Sequence, residues 1–313
     1  MRLIKETTNF DFLSRSRRRI ALAISALAIA VSLISIGTRG LELGIDFTGG
    51  VLLEIGYPQA ADLNKIRGLL ADAGFDEVQV QEFGVSTDVL LRLPPQADAK
   101  PNEIREKLRN TLAADEPNVD LRRVVFVGPQ VGEGLTEKGG LAMIFTLLMI
   151  FGYVMFRFQW KFAAGAVAAL AHDVIITLGF FSLFRFDFDL TVVAAVLAVI
   201  GYSLNDTVVT FDRIRENFVK LRGTSSEEAM NLSINQMLAR TIITGVTTLL
   251  VLIALLLLGG EAVAPFSIAL IVGIIVGTYS SIYTASAIAL NLKVTAQDLL
   301  PPEIDPDLID DLP

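Results

Sequence analysis

Residues 190–217 read LTVVAAVLAVIGYSLNDTVVTFDRIREN. The part from 190 to 211 is long and apolar enough to cross a bilayer core of ~30 Å, which takes ~20 helical residues. An aspartate, Asp206, interrupts it. An ionisable group at that depth costs ~2.5–3.5 kcal/mol on insertion scales and therefore calls for a partner or a task. Ser203, Asp206, Thr207 and Thr210 follow the i, i+3, i+4, i+7 rule and predict a polar stripe on one side of the helix, with Asn205 beside it. The run ends in Asp212, Arg213 and Arg215, a charge cluster expected at the membrane surface.

Five more stretches meet the same length and hydropathy test: residues 20–37, 139–157, 162–184, 240–259 and 265–290. They explain why a chain of 313 residues is 52% hydrophobic and 19% charged, with a mean hydropathy of +0.56. Soluble domains are about a quarter charged, so a purely soluble protein is excluded. There is no cysteine and a single histidine. Disulfides, thiolate metal sites and multi-histidine centres are therefore excluded, and no metal or organic cofactor is expected. A net charge of −8 argues against nucleic acid as the main partner.

Positive residues flanking a span stay in the cytoplasm. Arg15, Arg17, Arg18 and Arg19 precede the first span, so residues 1–19 are expected inside. The run 20–37 is long for a cleaved leader and is followed by no clear small-x-small site, so it reads as an uncleaved anchor. Alternation then puts 158–161 inside, 185–189 outside, the basic loop 212–239 inside and 259–264 outside. The tail 291–313 falls inside, and its acidic, proline-bearing end reads as disordered. Both termini are expected in the cytoplasm.

Residues 38–138 form the one large segment outside the membrane. Residues 50–56 (GVLLEIG) read as a strand, and 60–73 have helical spacing closed by Gly74. Residues 77–83 alternate as a strand does, 88–93 form another strand before Pro94-Pro95, 102–113 form a helix, and 119–127 close the set. The order βαββαβ predicts an α+β domain of ferredoxin-like type. That fold names no function by itself.

Inside the membrane four ionisable residues stand out: His172 and Asp173 in the third span, Asp206 in the fourth, and Arg240 opening the fifth. At ~1.5 Å per residue, Asp173 lies ~17 Å deep, near the midplane, and Asp206 ~9 Å from the cytoplasmic face. Arg240 is near that same face, so Asp206 and Arg240 are expected to be able to meet. Arg240, Thr244 and Thr247 predict a facing polar stripe. Gly273, Gly277 and Ser281 repeat a small residue every four positions in the sixth span, which suits close helix approach. Each also has a plain structural reading: an inert ion pair for Asp206, snorkelling for Arg240, and a satisfied buried pair for His172 and Asp173.

Six spans with one large loop after the first resemble half of a resistance-nodulation-division transporter. The segments Gly44-Ile45-Asp46-Phe47-Thr48-Gly49-Gly50, the run from Gly201 to Asn217, Arg240-Thr241-Ile242-Ile243-Thr244 and Gly259-Gly260 together resemble the SecD/SecF family of bacterial protein-export membrane subunits. The resemblance covers nearly the whole chain. It implies an inner-membrane protein with 38–138 in the periplasm, paired with a six-span SecD partner at the SecYEG channel, often with YajC. It further implies use of the proton-motive force to complete translocation of unfolded polypeptide, without enzymatic catalysis. The family's essential intramembrane acid and base correspond to Asp206 and Arg240, with Asp173 a further candidate stop for the proton. Its signature at the membrane–domain junction corresponds to Gly44, Asp46, Thr48, Gly49 and Gly50. Three rivals remain at this stage: half of a small-molecule or lipid exporter, a scaffold that transports nothing, and an intramembrane aspartyl protease using Asp173 and Asp206. The protease lacks its usual motifs around both residues.

Overall fold

The computed structural model describes residues 8–75, 78–95, 101–221 and 223–295. The disorder expected for the end of the tail, and the calls on Glu77 and Arg222, lie outside the described residues. Among the described residues six helical segments are long and apolar enough to cross a membrane. They begin with α1 (Arg15–Arg39), which leads into β1 (Glu42–Leu43) and a single helical turn, α2 (Ile45–Thr48). A folded domain follows, made of β2 (Gly50–Gly56), α3 (Leu63–Asp72), β3 (Gln79–Phe83), β4 (Val85–Leu93), α4 (Pro101–Asp115) and β5 (Asp120–Val127). The remaining elements are α5 (Pro129–Arg157), α6 (Trp160–Phe184), β6 (Asp187–Phe188), α7 (Leu190–Lys220), α8 (Ser226–Leu258) and α9 (Ala264–Tyr279). A π-helical segment, Ser280–Ala285, joins α9 to α10 (Ser286–Asn291).

The domain is a four-stranded antiparallel sheet in the order β3-β4-β2-β5. Alternation along the strands turns Val51, Leu53 and Ile55 of β2 and Leu91 and Leu93 of β4 to one face, where they are buried against Ile66 and Leu70 of α3 and Leu108 and Leu112 of α4. Asp62 caps α3 by accepting from the amides of Asn64 and Lys65 at 3.0 and 3.1 Å.

In the bundle α6 and α7 form the centre, each half buried, while α5 is buried hardly at all and α8 only in small part. Three helices outrun the spans read from the sequence by two turns or more. Helix α5 starts at Pro129 rather than 139, α7 continues to Lys220 rather than 211, and α8 starts at Ser226 rather than 240. Hydropathy locates the apolar part of a helix, not its ends. The start of α8 is fixed by a capping box between Ser225 and Glu228. Beyond the apolar zone α7 and α8 stay paired through Asn217, whose Nδ2 donates to Ser233 Oγ at 2.8 Å and Gln236 Oε1 at 3.0 Å.

The sixth span, expected over 265–290, runs over Ala264–Asn291 and contains a π-helical segment at Ser280–Ala285. Ser281 donates its hydroxyl back to the Gly277 carbonyl at 2.9 Å. Such back-bonding competes with the α-helical amide ladder, and π-bulges gather at functional sites.

The amino-terminal residues were read as a cytoplasmic end with no structure assigned; residues 8–13 run along α8 as a strap. Asn235 accepts from the Phe10 amide at 2.8 Å and donates to the Phe10 carbonyl at 2.7 Å. Asn231, one turn away, donates to that carbonyl at 3.0 Å and accepts from the Phe12 amide at 2.7 Å. Leu13 is then fully buried among Phe158, Phe162 and Phe211.

Candidate functional site

The most deeply buried ionisable group in the bundle is Asp173 of α6, with no exposed surface. Four elements converge on it. His172 Nδ1 lies 2.9 Å from Asp173 Oδ1. Ser203 of α7 donates to Oδ2 at 2.6 Å, and Ser280 of the π-segment donates to the same oxygen at 2.8 Å. Gly277 of α9 packs on Ser203 so closely that a Cβ there would sit 3.0 Å from Ser203 Cβ and 3.5 Å from Asp173 Oδ2. No lysine or arginine lies within ion-pair distance of Asp173 among the described residues. The carboxylate therefore depends on one imidazole and two hydroxyls. A hydroxyl can donate to a carboxylate or accept from a carboxylic acid, so the serines satisfy either protonation state.

His172 stacks on Tyr279 with ring centroids 6.1 Å apart, and its Nε2 is buried without a hydrogen-bond partner among the described residues. Tyr279 in turn donates its hydroxyl to the Ala21 carbonyl of α1 at 2.8 Å. Sequence reasoning missed Ser280 and Tyr279. Both stand close to Ser281, which was chosen for its small size as a packing residue.

Asp206 lies lower on α7. It is 7% exposed, and its Oδ2 has no hydrogen-bond partner among the described residues. The buried hydroxyls of Thr207 and Tyr202 are likewise unpaired. Ser203, Asp206, Thr207 and Thr210 are all buried on one side, as their spacing requires. Asn205 is not part of this stripe. It is exposed, because it sits a hundred degrees around the helix from Asp206.

The facing stripe on α8 is corrected as well. Arg240, Thr244 and Thr247 are exposed, and both threonines return their hydroxyls to carbonyls of their own helix. The face of α8 turned inward carries Thr241 and Gly245 instead. Thr241 and the charge of Arg240 both bear on Asp206. Arg240 nevertheless makes no ion pair with Asp206 within 4.0 Å. The heptad-like spacing of 240, 244 and 247 gave a face but not its phase. The buried Leu238, Thr241, Gly245 and Leu252 set that phase.

The second cluster is at the junction. Gly44 donates its amide to the Phe188 carbonyl at 2.8 Å, and β1 pairs in parallel with β6. Asp46 Oδ2 accepts from the Leu190 amide, the first of α7, at 3.1 Å, while Asp189 caps the same helix from Val192 at 3.0 Å. Phe47 stacks on Phe188 at 5.7 Å. Thr48 donates to the carbonyls of Gly44 and Gly49 at 3.2 and 3.0 Å. Gly49 and Gly50 both take positive φ, +72° and +125°. At Gly50 a Cβ would also overlap the Leu93 carbonyl, so glycine is required there. Helix α5 presses on the same turn, since a Cβ on Gly132 would lie 2.7 Å from the Phe47 carbonyl. One short turn thus touches the domain, α5 and the start of α7. Asp46→Ala is expected to cost about 1–2 kcal/mol of helix-end stabilisation. The measurement is faster amide exchange at residues 190–192, which Asp46→Asn should largely restore because it keeps the acceptor oxygen.

Two family models match the chain. "Protein export membrane protein SecD/SecF, C-terminal" covers residues 107–295, and the "SecD/SecF GG Motif" covers residues 34–61. The chain is 49% identical over 296 residues to the protein translocase subunit SecF of Pseudomonas aeruginosa, covering 95% of this chain and 96% of that one. It is 47% identical to the same subunit of Vibrio alginolyticus over 304 residues, 97% of this chain and 96% of that one. Among solved structures it resembles SecDF of Thermus thermophilus, described as a translocon-associated membrane protein, with a TM-score of 0.84 and 37% identity. That match covers 93% of this chain but 40% of the SecDF chain.

Proposed function

This chain belongs to the SecD/SecF family of protein-export membrane proteins, and from that premise we propose that it is an accessory subunit of the Sec translocase. In this reading it pairs with a SecD-type partner, which accounts for the remainder of the SecDF chain that it does not span. The pair acts at the SecYEG channel, with YajC, on unfolded polypeptide. It draws on the proton-motive force for the late steps of translocation across the bacterial inner membrane. Both termini are cytoplasmic, and the domain between α1 and α5 is a periplasmic ferredoxin-like unit.

The observation that carries the proton coupling is Asp173, buried at the centre of the bundle with hydroxyl partners that suit either protonation state. When the acid is ionised, Ser203 and Ser280 both donate to it and tie α7 to the π-segment. When a proton arrives, a donor meets donors, and the serines must turn. The tie between α7 and the π-segment is then remade in a second arrangement. Asp206, with an unpaired oxygen beside unpaired Thr207, supplies the next polar stop towards the cytoplasmic end. Arg240 sets the charge around Asp206 without clamping it.

Helix α7 carries the change outward. Its first amide is held by Asp46, ~20 Å above Ser203 at 1.5 Å per residue. A shift of α7 therefore pulls on the turn that seats the domain. One charge moved across 100 mV yields ~2.3 kcal/mol, enough to bias a two-state element by more than tenfold.

The test uses vesicles containing this chain with its SecD-type partner, the channel and an arrested export substrate. An imposed proton gradient should speed completion of export and draw protons inward, as read by a pH-sensitive dye. Asp206→Asn should cut both about tenfold at equal protein level. Proton flux and export that ignore the gradient would leave only the scaffold reading.

A further inference from the structure

Where α5 gives way to α6, the chain turns in two residues, Phe158 and Gln159, between helices long enough to span a membrane. This corner holds a cavity of about 390 Å³ lined by Met155, Phe156, Arg157, Phe158, Gln159 and Arg215. Its lining is divided by chemistry. Met155 and Phe156 continue the apolar surface of α5, and Phe156 is 95% exposed. The two guanidinium groups form the other side.

The two arginines differ in state. Arg157 is anchored, donating to both carboxylate oxygens of Asp212 at 3.0 and 3.3 Å and lying over the Phe158 ring at 5.1 Å. Arg215 projects from α7 into the same cavity and has no ion-pair partner among the described residues. Glu216 beside it is already engaged by Arg213 and Lys220. Helix α6 starts in the cavity wall, and its N-cap residue Gln159 makes no capping hydrogen bond. The positive end of that helix adds to the two arginines. Trp160, at the first position of α6, is half exposed at the level where tryptophans sit between headgroups and acyl chains.

We propose that this corner is a binding site for an anionic phospholipid, with its phosphodiester on Arg215 and Arg157 and its acyl chain along Met155 and Phe156. A soluble phosphate would find the arginines but leave the apolar wall unused. A zwitterionic headgroup would bring its own ammonium next to Arg215 and lose most of the gain. Only an anionic lipid satisfies both halves of the site. Basic residues near an anionic membrane surface contribute about 1 kcal/mol each, roughly a fivefold preference per arginine.

The chain carries its own probe, because Trp160 is its only tryptophan. The full chain is placed in nanodiscs containing a small matched fraction of either brominated phosphatidylglycerol or brominated phosphatidylcholine, and quenching of Trp160 is recorded. Phosphatidylglycerol should quench at about five times lower mole fraction than phosphatidylcholine. Arg215→Gln should reduce that ratio to near one, while Arg185→Gln, at the other end of α6, should leave it intact. Three results would overturn the site: equal quenching by both lipids, a preference that survives Arg215→Gln, or a preference abolished by inorganic phosphate but not by chloride of the same ionic strength. The last would make the occupant a soluble anion.

Discussion

Asp173→Asn is expected to reduce gradient-driven export by about fiftyfold, down to the rate seen without a gradient, while the protein accumulates normally. The size follows from the ~2.3 kcal/mol that one charge gains across 100 mV, all of which is forfeited if the central acid cannot change its proton count. The fold should survive because asparagine keeps an oxygen at the position that accepts from Ser203 at 2.6 Å and Ser280 at 2.8 Å. Asp173→Glu should not rescue, since the site has no exposed surface and Gly277 already closes one side. Export rate in reconstituted vesicles, with and without an uncoupler, is the measurement. A variant that still responds to the gradient would move the coupling elsewhere.

Gly273→Leu is expected to be the most damaging change to assembly of the bundle. A Cβ at that position already overlaps the Val199 side chain, with Val199 Cβ itself only 3.0 Å away, so no rotation of the valine makes room. Overpacking of this kind costs typically 1–3 kcal/mol and at times more. Helices α7 and α9 would be forced apart along the seam that seats Ser203 next to Gly277. The expected result is a low yield of dispersed protein in mild detergent, with earlier aggregation on heating. Gly273→Ala should fall in between. A leucine variant with wild-type yield and heat resistance would contradict the close seam.

Much of this architecture is legible in the residues because membranes impose strong rules. Apolar runs of spanning length revealed all six helices, and an aspartate inside such a run announced a polar site. Ser203, Asp206, Thr207 and Thr210 share a buried side because a single helix fixes its own angles, which also turn Asn205 away from it. What failed were relations between helices. Arg240, Thr244 and Thr247 share a face, but only the burial of Thr241 and Gly245 shows that this face points away from α7. The break at Ser280–Ala285 lies inside an apolar run, and the hydropathy of the span does not register it. The strap was invisible for a different reason. Asn231 and Asn235 hold main-chain atoms of Phe10 and Phe12, so the partner segment carries no matching side-chain signal.

That strap joins positions 225 residues apart in sequence. The seat of residues 8–13 therefore does not exist until α8, Ser226–Leu258, has been made and inserted. Throughout that interval the amino end stays undocked at the surface of a half-built bundle. Its seating marks the arrival of α8, and a chain truncated before Asn231 would leave residues 8–13 without their anchor.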